Sequence, residues 1–160
     1  MTYGRIKVQL LSEQDCGDFV IRKLEMGEAD SHYQVPGVPD GIVITQFHHT
    51  KWSEKGETPV TSSILRLIDA LIKTQISTGN QAITVMCNDG IGRSGTFTCI
   101  YSQLERIKAE GIADVFQYIK ASRLQRPGLV SELEQFTFCH YVLADYIDSF
   151  DTYANFKDWA

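Results

Sequence analysis

No apolar run in the chain approaches the roughly 18 residues that a membrane-spanning helix needs. The N-terminal stretch MTYGRIKVQLL lacks a long apolar core behind a basic segment, so no signal peptide is expected there. The four cysteines, Cys16, Cys87, Cys99 and Cys139, form no C-x-x-C pair. That spacing speaks against zinc and disulfide frameworks, and a reducing compartment fits best. His48 and His49 are adjacent and would diverge on a strand, so no metal site is expected. Basic residues are in deficit, 15 against 20 acidic ones for a net charge of −5, which excludes a general affinity for nucleic acid. Repeats, low-complexity segments and cofactor motifs are all missing, and no cofactor is expected.

What is present suits one α/β domain of 160 residues. Ile6, Val8 and Leu10 alternate with polar residues, and Phe19–Ile21 leads on to Met26; this predicts a two-stranded hairpin. A loop over residues 27–41 and a third strand over Gly41–Phe47 follow. Apolar residues at 64, 65, 68, 71, 72 and 76 predict a helix, with Ser62 or Ser63 as its cap and Gly79-Asn80 as its stop. The short apolar run Ala82–Met86 has the composition of a buried central strand. Further helices are expected over residues 92–109, over Asp114–Arg123, and from about Ser131, where Ser131-x-x-Glu134 spells a capping box, to Phe150. Cys99 and Cys139 fall on apolar faces and read as core.

Between the central strand and the second helix lies Cys87-Asn88-Asp89-Gly90-Ile91-Gly92-Arg93-Ser94. A short strand-to-helix loop gathers backbone N–H groups around one point, and the helix dipole adds positive potential there. Gly90 and Gly92 allow the backbone to turn its amides inward. A cysteine at the mouth of such a nest should ionise readily and act as a nucleophile. Arg93 offers two-pronged binding of phosphate oxygens, and Ser94 can hydrogen-bond the sulfur. Residues 88–93 are thus the candidate binding loop for a tetrahedral anion. A bare Cys-x5-Arg is weak by comparison: Cys16 to Arg22 matches it too, but inside the hairpin and without paired glycines.

Residues 85–97 resemble the signature loop of protein-tyrosine phosphatases, and Arg123-Leu-Gln-Arg126-Pro-Gly followed by Glu134-Gln-Phe-Thr-Phe resembles their last-helix region. Phe47-His-His-Thr-Lys-Trp52-Ser53-Glu54 is similar to their mobile acid-bearing loop, in which Trp52 would be an anchor. The likeness is greatest to the second, membrane-distal domain of receptor-type enzymes. It implies a cysteine-dependent phosphatase fold, a twisted mixed sheet flanked by helices, with the binding loop between a central strand and a helix. Because that family's domain begins well before Met1, residues 1–160 would form a partial domain. Cys87 would be the nucleophile, Arg93 the phosphate ligand, Ser94 the aid to thiolate release, Glu54 the general acid and Gln135 a water-positioning residue. The substrate would be a phosphotyrosine protein or peptide, and another phosphatase domain is a candidate partner. The setting would be cytoplasmic, tethered through a membrane receptor, with no membrane contact from this segment.

Five positions depart from the family pattern: Ser53 for proline, Glu54 for aspartate, Met86 for histidine, Ser131 for glutamine, and Asp89 inside the loop. A carboxylate at position 89 opposes a phosphate dianion, or pairs with Arg93 and fills the site itself. Two functions follow: slow hydrolysis of phosphotyrosine, or a pseudophosphatase that binds or regulates. A redox sensor based on Cys87 is a third, lesser reading.

Overall fold

A computed structural model describes residues 1–28, 41–53, 57–79 and 81–157. The chain divides into two compact units, Met1–Lys51 and Trp52–Ala160. The first is a sheet of β1 (Thr2–Tyr3), β2 (Ile6–Asp15), β3 (Phe19–Glu28) and β4 (Gly41–His49), antiparallel throughout and paired in sequence order. The hairpin between β2 and β3 turns where Gly17, at φ 89°, gives its N–H to the Asp15 carboxylate at 2.8 Å. Register sets Leu10, Leu24 and Ile44 across from one another, and likewise Val8, Met26 and Ile42, so all six share a face. The Cys16–Arg22 decoy lies at this hairpin: Cys16 sits in the turn, and Arg22 on β3 binds Glu13 and Gln46.

The second unit is helical: α1 (Thr61–Thr78), α2 (Arg93–Glu110), α3 (Val115–Gln125) and α4 (Leu133–Lys157). The apolar stripes meet in one core, with Ile64, Ile68, Ile100, Leu104, Val142 and Leu143 almost wholly buried. α4 packs against each of the other three helices. Gly79 and Gly111 end α1 and α2 in the left-handed conformation, as glycine permits. Asp114 caps α3 through the N–H of Gln117 at 2.9 Å. α1 begins at Thr61 behind Val60, without a side-chain cap. α4 begins two residues beyond Ser131, so the expected capping box does not form.

The α/β class stands, with two differences of detail among the described residues. There the sheet is antiparallel throughout, where a mixed one was expected. Ala82–Met86 has no regular secondary structure and joins no ladder among the described residues, and Ile83 and Met86 are 38% and 84% exposed. The physical reason is pairing: a buried central strand takes its hydrogen bonds from neighbours on both sides, and the described residues of the second unit contain no other strand. Among the described residues no helix is long and apolar enough to cross a membrane.

Candidate active site

The segment 81–87, without regular secondary structure, leads Cys87 to the N-terminal end of α2, and residues 88–92 bend between them. Gly90 sits at φ 69°, where a side chain would be strained; a Cβ there would also stand 2.6 Å from Arg126 Nη2. Gly92 caps the helix. A Cβ on it would come within 3.0 Å of Gln135 Nε2 and 3.3 Å of Ser131 Oγ. The loop therefore passes close under both side chains. Thr96 locks the first helical turn, giving its N–H and its hydroxyl to Gly92 O at 3.0 and 2.9 Å.

Cys87, Asp89, Ile91, Gly92 and Ser94 converge on one point. The Cys87 S–H donates to Asp89 Oδ1 at 3.0 Å, and that same oxygen receives the N–H of Ile91 at 2.9 Å and of Gly92 at 3.1 Å. Ser94 Oγ lies 3.3 Å from the sulfur, and the Ser94 N–H reaches it at 3.4 Å. The amide cradle anticipated for an external anion thus holds the protein's own carboxylate. Those bonds, the Ile91 N–H foremost and then the Cys87 S–H and the Gly92 N–H, lower the Asp89 pKa to about 2. Asp89 is nonetheless exposed to solvent, so its charge is partly screened.

Arg93 does not pair with Asp89 in this arrangement. Its Nη1 donates to the Trp52 carbonyl at 3.1 Å, while the Trp52 ring packs edge-on against Phe138 at 5.9 Å. The guanidinium thus ties the start of α2 to the segment ahead of position 54. Glu54 itself lies outside the described residues. Gln135 is 9% exposed beside Gly92, and its Oε1 accepts from Glu132 N at 3.4 Å. Asn88 is exposed, and Ile91 is half-buried with its carbonyl on Val130 N at 3.0 Å.

Three residues were given no role by the sequence reading. Arg126 Nη2 donates to Asp89 O at 3.3 Å and so closes the loop from outside. Arg123 donates to the carbonyls of Leu129 at 2.9 Å and Val130 at 2.8 Å. Val130, buried and β-branched, sits at φ 56°, a strained conformation held by that fork and by its own bond to Ile91. The signal available is a pair of arginines at a helix end, one in its last turn and one at its C-cap, ahead of Pro127-Gly128.

A family model described as protein-tyrosine phosphatase matches residues 1–145. The chain is 42% identical over 157 residues to receptor-type tyrosine-protein phosphatase alpha of Mus musculus, covering 98% of this chain and 18% of that protein. It is 43% identical over 162 residues to receptor-type tyrosine-protein phosphatase epsilon of Homo sapiens, covering 98% and 22%. With receptor-type tyrosine-protein phosphatase F of Mus musculus the identity is 31% over 153 residues, covering 95% and 8%. The chain spans at most about a fifth of the length of these relatives. With a family model matched over most of its residues, and around a cysteine, an amide cradle and an arginine at one helix N-terminus, the chain belongs to the protein-tyrosine phosphatase family.

Proposed function

We propose that this chain is a protein-tyrosine phosphatase domain of low turnover, acting on phosphotyrosine proteins or peptides through a cysteinyl-phosphate. In the first step Cys87 gives up its thiol proton to solvent and its sulfur attacks phosphorus; the S–P bond forms as the bond to the tyrosine oxygen breaks, and Glu54 protonates that oxygen. In the second, a water placed by Gln135 attacks phosphorus as Glu54 takes its proton, and the S–P bond breaks. The thiolate leaves toward the Ser94 hydroxyl, and inorganic phosphate is released. Arg93 and the amides of residues 88–92 hold the equatorial oxygens. The observation that carries the low-turnover reading is Asp89 Oδ1 seated on the Ile91 and Gly92 amides and on the Cys87 thiol. Substrate phosphate must displace that carboxylate before it meets either the cradle or the nucleophile.

The same contact favours a second reading, a pseudophosphatase that serves as a phosphotyrosine-binding or regulatory module, with another phosphatase domain as its partner. Both readings place the domain on the cytoplasmic side of a membrane-tethered receptor. Residues 1–160 would be part of a larger phosphatase domain, which the exposed and unpaired Ala82–Met86 segment supports. The test is hydrolysis of a phosphotyrosine peptide by wild type, Asp89→Ala and Cys87→Ser. Slow turnover that vanishes in Cys87→Ser and rises in Asp89→Ala supports the enzyme. No turnover in any variant, together with binding of the peptide, supports the module.

A further inference from the structure

We propose that Asp89 guards Cys87, its carboxylate accepting from the thiol and occupying the cradle amides, so that this cysteine reacts with electrophiles more slowly than an unguarded cysteine in the same cradle would. The inference rests on the reading above only in taking residues 87–93 as an oxyanion cradle. A cysteine beside inward amides at a helix N-terminus is ordinarily stabilised as the thiolate. Here the two inward amides are taken by Oδ1, at 2.9 and 3.1 Å, and the sulfur donates to that oxygen at 3.0 Å. The carboxylate sets a negative charge 3.0 Å from the sulfur and takes the amides that would otherwise face it. What remains at the sulfur is Ser94, its Oγ at 3.3 Å and its N–H at 3.4 Å, while Arg93 is turned to the Trp52 carbonyl.

The carboxylate is also held in place. One oxygen accepts three donors, and Arg126 fixes the backbone of the same residue through Asp89 O at 3.3 Å. Gly90, beneath that guanidinium, has room for no side chain at its φ of 69°. Asp89 remains ionised down to about pH 2, so the guard persists across the physiological range.

The rate of iodoacetamide alkylation tests this. The thiolate sulfur displaces iodide, a C–S bond forms, a C–I bond breaks, and the thiol proton passes to buffer. Labelling is followed at each cysteine by peptide mass spectrometry on the 160-residue chain at neutral pH. Cys99 and Cys139 are wholly buried and report that the fold is intact; the part-exposed Cys16 supplies a reference rate. Asp89→Ala should label at Cys87 about tenfold faster than wild type, the effect of one charge at 3.0 Å in a water-like dielectric. Inorganic phosphate should leave the wild-type rate unchanged and slow that of Asp89→Ala. Asp89→Asn, which keeps an acceptor without the charge, should fall between.

Equal rates at Cys87 in wild type and Asp89→Ala, with Cys99 and Cys139 unlabelled, overturn the proposal. If Asp89→Ala exposes the buried pair, the wild type still decides: Cys87 labelling faster than Cys16 overturns it, and labelling no faster supports it. Fast Cys87 labelling with slow peptide hydrolysis would sink the guard and leave the phosphatase reading intact. Guarded labelling with no hydrolysis in any variant would do the reverse.

Discussion

Replacing Asp89 with alanine should raise phosphate-ester turnover more than any other single change at the site. Asp89 Oδ1 sits 3.0 Å from the sulfur, the distance at which an attacked phosphorus must stand. The carboxylate therefore has to swing away before substrate can bind. With the carboxylate swung away, one charge opposing a dianion costs about 1.4 kcal/mol at roughly 6 Å in a water-like dielectric and about 4 kcal/mol at roughly 8 Å in a dielectric near 20. Each ~1.4 kcal/mol is a factor of ten, so the gain lies between about ten- and a thousandfold. The exposure of Asp89 draws the value toward the lower end, since solvent screens the charge. Because its pKa is about 2, no ordinary assay pH relieves the block by protonation. The assay is steady-state hydrolysis of an aryl phosphate and of a phosphotyrosine peptide, with Asp89→Asn separating charge from occupancy. If the wild type already turns over the peptide at ordinary enzyme rates, or if Asp89→Ala is no faster, the self-occupied cradle is not what limits the domain.

Calorimetric titration of phosphate should show weak or undetectable binding to the wild type and clear binding to Asp89→Ala; equal affinities would mean that Asp89 leaves the nest at no cost. Gly95→Ala would drive a Cβ to 2.6 Å from Leu129 Cγ and 3.0 Å from Val130 N, so it should cost about 1–3 kcal/mol and lower Tm by several degrees. Thermal scans that show no change would contradict that packing. Burial lowers the His49 pKa, with Asp18 opposing and His48 assisting, so the folded state gives up its proton more readily than the unfolded chain. Stability from this group is present above pH 6.5 and falls as pH drops through that range; His49→Gln should flatten the fall in the denaturation midpoint between pH 7.5 and 5. Amide exchange over 82–86 should be fast in this chain and slow in a longer form that supplies neighbouring strands; fast exchange in both would mean that the segment is not a strand in waiting.

The features that sequence reading resolves well are those decided locally. Gly79 stops α1 because it supplies a left-handed residue at the end of an apolar stripe. Cys87 to Ser94 is legible as a local cluster for the same reason: cysteine, glycines and arginine are packed into one short stretch. What eluded the sequence depends on distant partners. The pattern of Ala82–Met86 records a preference for burial and names no neighbour to pair with. Arg126 reaches Asp89 from 37 residues away, and the strain at Val130 exists only because Arg123 and Ile91 hold it.

Asp89 falls between these cases. Its charge pointed to Arg93, yet aspartate side chains commonly accept from backbone N–H groups two and three residues on, and Ile91 and Gly92 are those residues. An anion-binding loop of this kind is built from closely spaced amides, so any carboxylate placed early in it lies within reach of the same donors. The internal anion is already tethered, while an external phosphate gives up translational and rotational freedom on binding. Asp89 therefore competes at a high effective concentration without needing Arg93. The guanidinium is left to the Trp52 carbonyl, and the sulfur to the carboxylate. A single side chain can thus leave the family's scaffold intact while accepting hydrogen bonds from both the loop amides and the Cys87 thiol.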